Sequence, residues 1–342
     1  MKRIFLGIGI LLVIVFSVNY WLPRITLVRN HEATYLFPPS NKKFVSDVFY
    51  LIEKRGISEL STKKENRMIQ QEMKKLDAKT YDSYQKMMAD LTNSLQKITG
   101  KHTQIYFYEN EEDKYAKFVS YPITSIDKSG IATIVLPSFS GTKDEGKTYV
   151  STVNQFIETN KDAIKGVIID LTSNNGGDSN VLLASVSQFL PNGNLLTFKG
   201  KHDSFTLNLS NTEIKTGNYS YQIKNYPKLN VPVAVMGSNV TSSSAEILLL
   251  AITTTVKESI FIGRDTGGYV SGREGYKLYG NVYLGLPTEA IQVYLGLPTE
   301  AIQTNDKIVH KIDSPISPDI QTDAPLDTAK EWFSKFTLST NK

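Results

Sequence analysis

The chain has 342 residues, 40% hydrophobic and 21% charged, ordinary globular proportions with room for one large domain or two to three small ones. Its 38 basic and 34 acidic residues are interspersed, so the net charge of +4 forms no basic stripe or acidic tail, and no nucleic-acid partner is expected. With no cysteine, disulfides, thiolate catalysis and cysteine-based metal sites are excluded, and nothing in the sequence calls for a metal or organic cofactor.

Lys2 and Arg3 precede an uncharged run from Ile4 to Leu22 that closes on Tyr20-Trp21 before Pro23-Arg24. Nineteen helical residues at about 1.5 Å each span about 28 Å, close to the roughly 30 Å hydrocarbon core of a bilayer. No A-x-A-like cleavage site follows Leu22, so residues 1–24 are expected to be an uncleaved transmembrane anchor, with the two aromatic residues at an interface. Lys2 and Arg3 favour an inside amino terminus, partly offset by Arg24 and Arg29.

Residues 25–39 are expected to be a tether ending at Pro38-Pro39-Ser40, with Ser40 placed to cap a helix. Phe44, Val48, Leu51 and Ile52 then recur at helical spacing as far as Gly56. A second helix opens at Thr62-x-x-Glu65 and carries Met68, Ile69, Met73 and Leu76. A third runs from about Thr80, with Tyr84, Met87, Met88, Leu91, Leu95 and Ile98, to Gly100. A helical bundle over 40–100 follows, its Met and Tyr residues assigned to core packing, the usual role at that spacing.

Strand patterns begin with Gln104 to Tyr108, Ala116 to Tyr121 and Ile131 to Leu136. Helix and strand then alternate through a helix Tyr149 to Thr159, a strand Gly166 to Leu171, a helix Asn180 to Leu190 and a strand Leu195 to Phe198. This predicts an α/β core over 101–342, with polar, turn-rich residues 201–230 inserted over its edge as a small cap. One oddity is that Val282 to Gln292 is repeated without change as Val293 to Gln303. Two copies do not make a solenoid, and an eleven-residue insertion exchanges the faces of a strand, so the second copy must bulge, loop out or displace the first.

From Val231 to Leu250 an apolar run is followed by a polar turn, the serines Ser242, Ser243 and Ser244, and a second apolar run. Such a strand-to-helix junction brings a serine to the positive end of a helix, where an oxyanion is stabilised. Ser243-Ser244-Ala245-Glu246 also matches a capping box, so a plain helix cap is the competing reading. A buried strand Gly166 to Asp170 leads to Asn174-Asn175-Gly176-Gly177-Asp178, where glycines either let backbone approach a ligand or merely make a tight turn. The phosphate-binding motif G-x-G-x-x-G and the hydrolase elbow G-x-S-x-G are both absent. A nucleophilic serine needs a base, and the four histidines are His31, His102, His202 and His310. His102, where helical bundle and core meet in sequence, is either structural or that base.

Asp170-Leu-x-x-Asn174-x-Gly176-Gly177, Thr241-x-Ser243-x-x-Glu246 and Pro318-Asp319 together resemble the S41 family of tail-specific, C-terminal-processing serine peptidases. The resemblance implies a ββα core related to crotonase and ClpP. Most of that family pair the serine with a lysine about 25 residues downstream, a position held here by Gly268, and no lysine lies between Lys257 and Lys277. The missing lysine, the lack of room for a PDZ domain, the anchor and Gly100-Lys101-His102 are similar to one branch of the family, the membrane-anchored nisin-resistance proteins of Gram-positive bacteria. That likeness implies Ser243 as nucleophile, His102 as base, the backbone N–H groups of Gly177 and Ser244 as oxyanion hole, and Glu246, Asn174 and Gly176 in support. It also implies an extracellular domain that removes the C-terminal tail of a cationic lantibiotic such as nisin. A non-catalytic lantibiotic-binding protein and a general processing peptidase of envelope proteins are the alternatives.

Overall fold

The computed structural model describes residues 2–108, 118–294 and 307–339. They form two compact units, the first made of Met1–Lys114, Gly200–His202 and Ser271–Glu289, the second of Tyr115–Lys199, Asp203–Val270 and Ala290–Lys342.

Among the described residues, unit 1 has the helices α1 (Lys2–Asn30), α2 (Asn41–Arg55), α3 (Thr62–Asp77) and α4 (Tyr84–Thr99). The start of α2 is set by Ser40, whose Oγ accepts the Lys43 N–H at 3.3 Å, and its end by Gly56. α4 begins at Tyr84 and not near Thr80, because Ser83 supplies the cap, accepting from Lys86 N at 3.2 Å. Gly100 ends it at φ 85°, a left-handed conformation that favours glycine.

Leu51, Ile52, Met87, Met88, Leu91 and Leu95 form the core of this unit. Tyr84, expected there as well, is 43% exposed and lines an aromatic cleft of about 440 Å³ with Phe44, Phe107 and Tyr279. Two departures from the expected divisions stand out. Residues 25–30, read as tether, are the last turns of α1, because Leu27 is buried in the core and Arg24 pairs at 2.8 Å with the buried Asp47. The unit also runs past residue 100, since Tyr276, Leu278, Val282, Leu284 and Leu286, far along the chain, fill the same core. Here the strand Gln104–Phe107 lies antiparallel to Val282 to Gly285.

Unit 2 is built on a sheet whose strand order is Ile320–Gln321, Ser259–Gly263, Val233–Gly237, Gly166–Asp170, Ile131–Val135 and Ile123–Ile126, all parallel except the last. The central strands are continuous apolar runs because both faces are covered. Val167, Ile169, Val233 and Val235 face a cluster with α5 (Lys143–Asn160), α6 (Ser179–Ser185) and α7 (Ser244–Thr255). Ile168, Ala234 and Met236 face the opposite cluster with Ala329 and Phe333 of α8 (Pro325–Ser339). α5 starts at Lys143 and not near Tyr149, because Thr142 and Glu145 form a capping box. The segment 201–230 forms antiparallel strands Ser204–Leu209, Glu213–Thr216 and Tyr219–Gln222 added to Gly193–Lys199.

The first copy of the duplicated segment is strand, continuing through Val293 and Tyr294 of the second, whose remainder lies outside the described residues. Lys307–Val309 returns along it with Val293 opposite Ile308 and Gln292 opposite Val309. Deleting Val293 to Gln303 would join Gln292 to Thr304 and set Thr304 opposite Ile308, leaving three residues to close the hairpin, a common loop length. The variant is expected to fold and to lose at most about 2 kcal/mol, the cost of a hydroxyl where Val293 is buried. Urea unfolding checks this; a larger loss would show that the second copy is integrated into the packing.

Candidate active site

All the singled-out residues of the serine run and the Gly-Gly turn meet in unit 2, at the carboxyl ends of two adjacent parallel strands. Gly166–Asp170 and Val233–Gly237 pair in register, Met236 beside Asp170, so the turns that follow them are neighbours. In open α/β sheets this edge is where ligands bind.

Ser243 stands between the Val233–Gly237 strand and the first residue of α7, at φ 56° and ψ −119°. A non-glycine residue there is strained by about 1–3 kcal/mol, and the same sharp strand-to-helix turn exposes the nucleophile of hydrolase elbows. The turn forms without the G-x-S-x-G motif, since Thr241 and Ala245 occupy the flanking positions. Thr241 holds it, its Oγ1 donating to Leu171 O at 2.7 Å and accepting from Ser238 N at 2.9 Å. The absence of the motif therefore hid an elbow that other side chains build.

Asn174 is fully buried and ties three loops together. Its Nδ2 donates to Leu136 O at 2.9 Å, its Oδ1 accepts from Gly176 N at 2.8 Å, and its O accepts from Ser242 N at 3.1 Å. Both glycines have positive φ, 106° at Gly176 and 121° at Gly177. A Cβ on Gly176 would lie 3.0 Å from Ser243 Cβ and 3.2 Å from Ser244 N, and one on Gly177 would lie 1.9 Å from Phe139 O. The turn is therefore pressed against the serine junction, and only glycine permits it. Ser244 strengthens the join, its Oγ donating to Gly177 O at 2.6 Å. Among the described residues the N–H groups of Gly177 and Ser244 meet no acceptor.

Glu246 does more than cap α7. Buried completely, it accepts from Ser243 N, Gly268 N and Tyr269 N, each at 2.8 Å, and from the Thr266 hydroxyl. Burial raises its pKa while these bonds to the carboxylate lower it. Gly268, where most of the resembled family has lysine, sits at φ 74° with its N–H on Glu246. Neither Thr266 nor the carboxylate's grip on residues 266–269 was legible in the sequence, for no short motif joins residues twenty apart.

His102 belongs to unit 1. It is 5% exposed, with Nδ1 2.7 Å from Ser271 Oγ, and its pKa is pushed down to about 3 by burial first and then by Arg273 and Lys101. Ser271 was likewise not foreseen. Of the other histidines, His31 packs against the Tyr276 ring in a tilted contact, His202 is exposed, and His310 is partly buried with a lowered pKa. Asp319, part of the recognised pattern, is structural: its backbone and carboxylate pair with Phe261 at 2.9 and 2.8 Å.

Residues 130–321 match the model of Peptidase family S41. A nisin-resistance protein of Lactococcus lactis subsp. lactis is 28% identical over 341 residues, 97% of each chain. The structure of a lipoprotein from Streptococcus agalactiae aligns with a TM-score of 0.65 at 25% identity, over 88% of this chain and 99% of that one. The photosystem II D1 C-terminal processing protease aligns at 0.51 and 10% identity, over 84% and 94%, a likeness of fold. The α/β peptidase fold expected from the sequence is the fold observed.

Proposed function

This chain belongs to peptidase family S41, and on that premise we propose that it is a membrane-anchored serine peptidase that removes the C-terminal tail of a cationic lantibiotic. The strained Ser243 against the Gly176-Gly177 turn carries the catalytic reading. Ser243 Oγ attacks the scissile carbonyl while His102 takes its proton; the proton passes to the leaving amine, and water then hydrolyses the acyl-enzyme. The N–H groups of Gly177 and Ser244 receive the oxyanion, a pair in which each donor lost typically costs a hundredfold or more in rate. With Nδ1 of His102 turned to Ser271, proton transfer falls to Nε2, and Ser271 acts as a positioning residue.

The substrate class rests on the likeness to the nisin-resistance protein over nearly the full chain. α1 is long and apolar enough to cross a membrane, and an inside amino terminus would put both units outside, where such peptides concentrate. Gly268 in place of the family's lysine favours a second reading, a surface protein that binds the peptide without cutting it.

Mass spectrometry of nisin incubated with the protein separates the two. A C-terminally shortened product is expected with the unmutated chain and none with Ser243→Ala. An intact peptide throughout would reject the peptidase, while cleavage that survives His102→Ala would reject only the base.

A further inference from the structure

Among the described side chains, α1 is apolar and largely exposed from Gly9 to Trp21 and enters the core of unit 1 from Pro23 onward. The chain then folds back, and the N–H groups of Leu36 and Phe37 donate to Asn19 Oδ1 at 3.2 and 3.3 Å. Leu36 is 49% exposed and Phe37 57%. Two large apolar side chains thus stand free beside the helix at the level of Asn19. The run Ile4 to Leu22 spans about 28 Å, so crossing a core of roughly 30 Å uses all of it and leaves Leu22 at the boundary. Asn19, three residues earlier, lies about 4.5 Å inside, and the loop bonded to it is carried to that depth.

We propose that Leu36 and Phe37 insert into the leaflet facing unit 1 and give the protein a second, in-plane contact with the lipid surface beside its helix. The inference rests on the reading that α1 spans a membrane. The loop N–H groups carried to this level are already bonded, which favours insertion because lipid offers them no partners. The Asn19 oxygen takes the two loop N–H groups. One turn on, Arg24 donates to Asp47 and Ser46 at 2.8 Å each, and the Tyr35 hydroxyl donates to Asp47 at 3.0 Å. Lys43 donates to Asp47 and to Tyr20 O, and Arg24 lies 4.2 Å over the Tyr20 ring, so the cations at this level are paired with a carboxylate and an aromatic face. The contact would fix the height and tilt of unit 1 on the surface.

The chain has no cysteine, so Phe37→Cys in the full chain takes a single NBD label, with Tyr219→Cys, 76% exposed in unit 2, as the control. After reconstitution into phosphatidylethanolamine–phosphatidylglycerol vesicles, the protein is expected to float with lipid. The label at 37 should emit to the blue of that at 219, be quenched by doxyl-labelled lipid, and resist iodide several-fold better. Flotation with equal iodide quenching at both positions would overturn the insertion and leave the anchor standing. Failure to float would overturn the anchor and the insertion with it.

Discussion

Replacing Ser243 with alanine is expected to lower peptide hydrolysis by about five to six orders of magnitude, the loss seen when a serine nucleophile is removed from a working site, while leaving unfolding cooperative. That corresponds to roughly 7–8 kcal/mol of transition-state stabilisation. A second variant separates chemistry from conformation. Ser243 holds φ 56° and ψ −119°, a backbone that alanine shares with serine as a strain but glycine adopts freely. Ser243→Gly should therefore be as inactive as Ser243→Ala yet more stable than it by about 1 kcal/mol in urea unfolding. Equal stabilities would remove the strained elbow, and residual activity in both would remove the nucleophile.

His102 makes stability depend on pH, with a sign that follows from its burial. An unfolded histidine titrates near 6.5, whereas the folded His102 is pushed down to about 3. Between those values the unfolded chain holds a proton that the folded protein does not, so stability rises with pH and is lost as pH falls from about 6.5. The slope from this one group is about 1.4 kcal/mol per pH unit. His310, also lowered by burial, adds to the same trend, and Glu246, raised by burial, opposes it nearer the carboxylate range. The clean measurement is thus the difference between the unmutated protein and His102→Gln, which should change by about 1.4 kcal/mol per unit between roughly pH 6 and 4.5. Parallel curves would mean that His102 is solvated and protonates normally. The buried neutral imidazole also predicts that no acid limb near pH 6.5 arises from this residue in kcat/KM.

Local features were legible wherever one short stretch carried both signal and cause. Ser40 before an amphipathic run starts α2, and the apolar run Gly166 to Asp170 is a central parallel strand. α5 shows the opposite case: its Thr142-x-x-Glu145 box was present in sequence, but the apolar periodicity begins only at Tyr149 and drew the start inward. The exposed Tyr84 matched a core position by spacing alone, and spacing does not report whether a neighbour covers that face.

The sequence by itself determined which residues are offered for chemistry: a serine at a strand-to-helix junction, two glycines after a buried strand, a lysine position held by Gly268, and one apolar run of bilayer length. Each is a property of adjacent residues, so backbone preference and hydropathy encode it directly. Tertiary structure decided how they are held. The parallel pairing of Val233–Gly237 with Gly166–Asp170 brings Gly176 against Ser243, and Glu246 reaches the N–H groups of 268 and 269. Ser271 meets His102 across 169 residues of chain. Such contacts arise because a fully buried polar group must find a partner, and the partner is chosen by packing in space, not by distance along the chain.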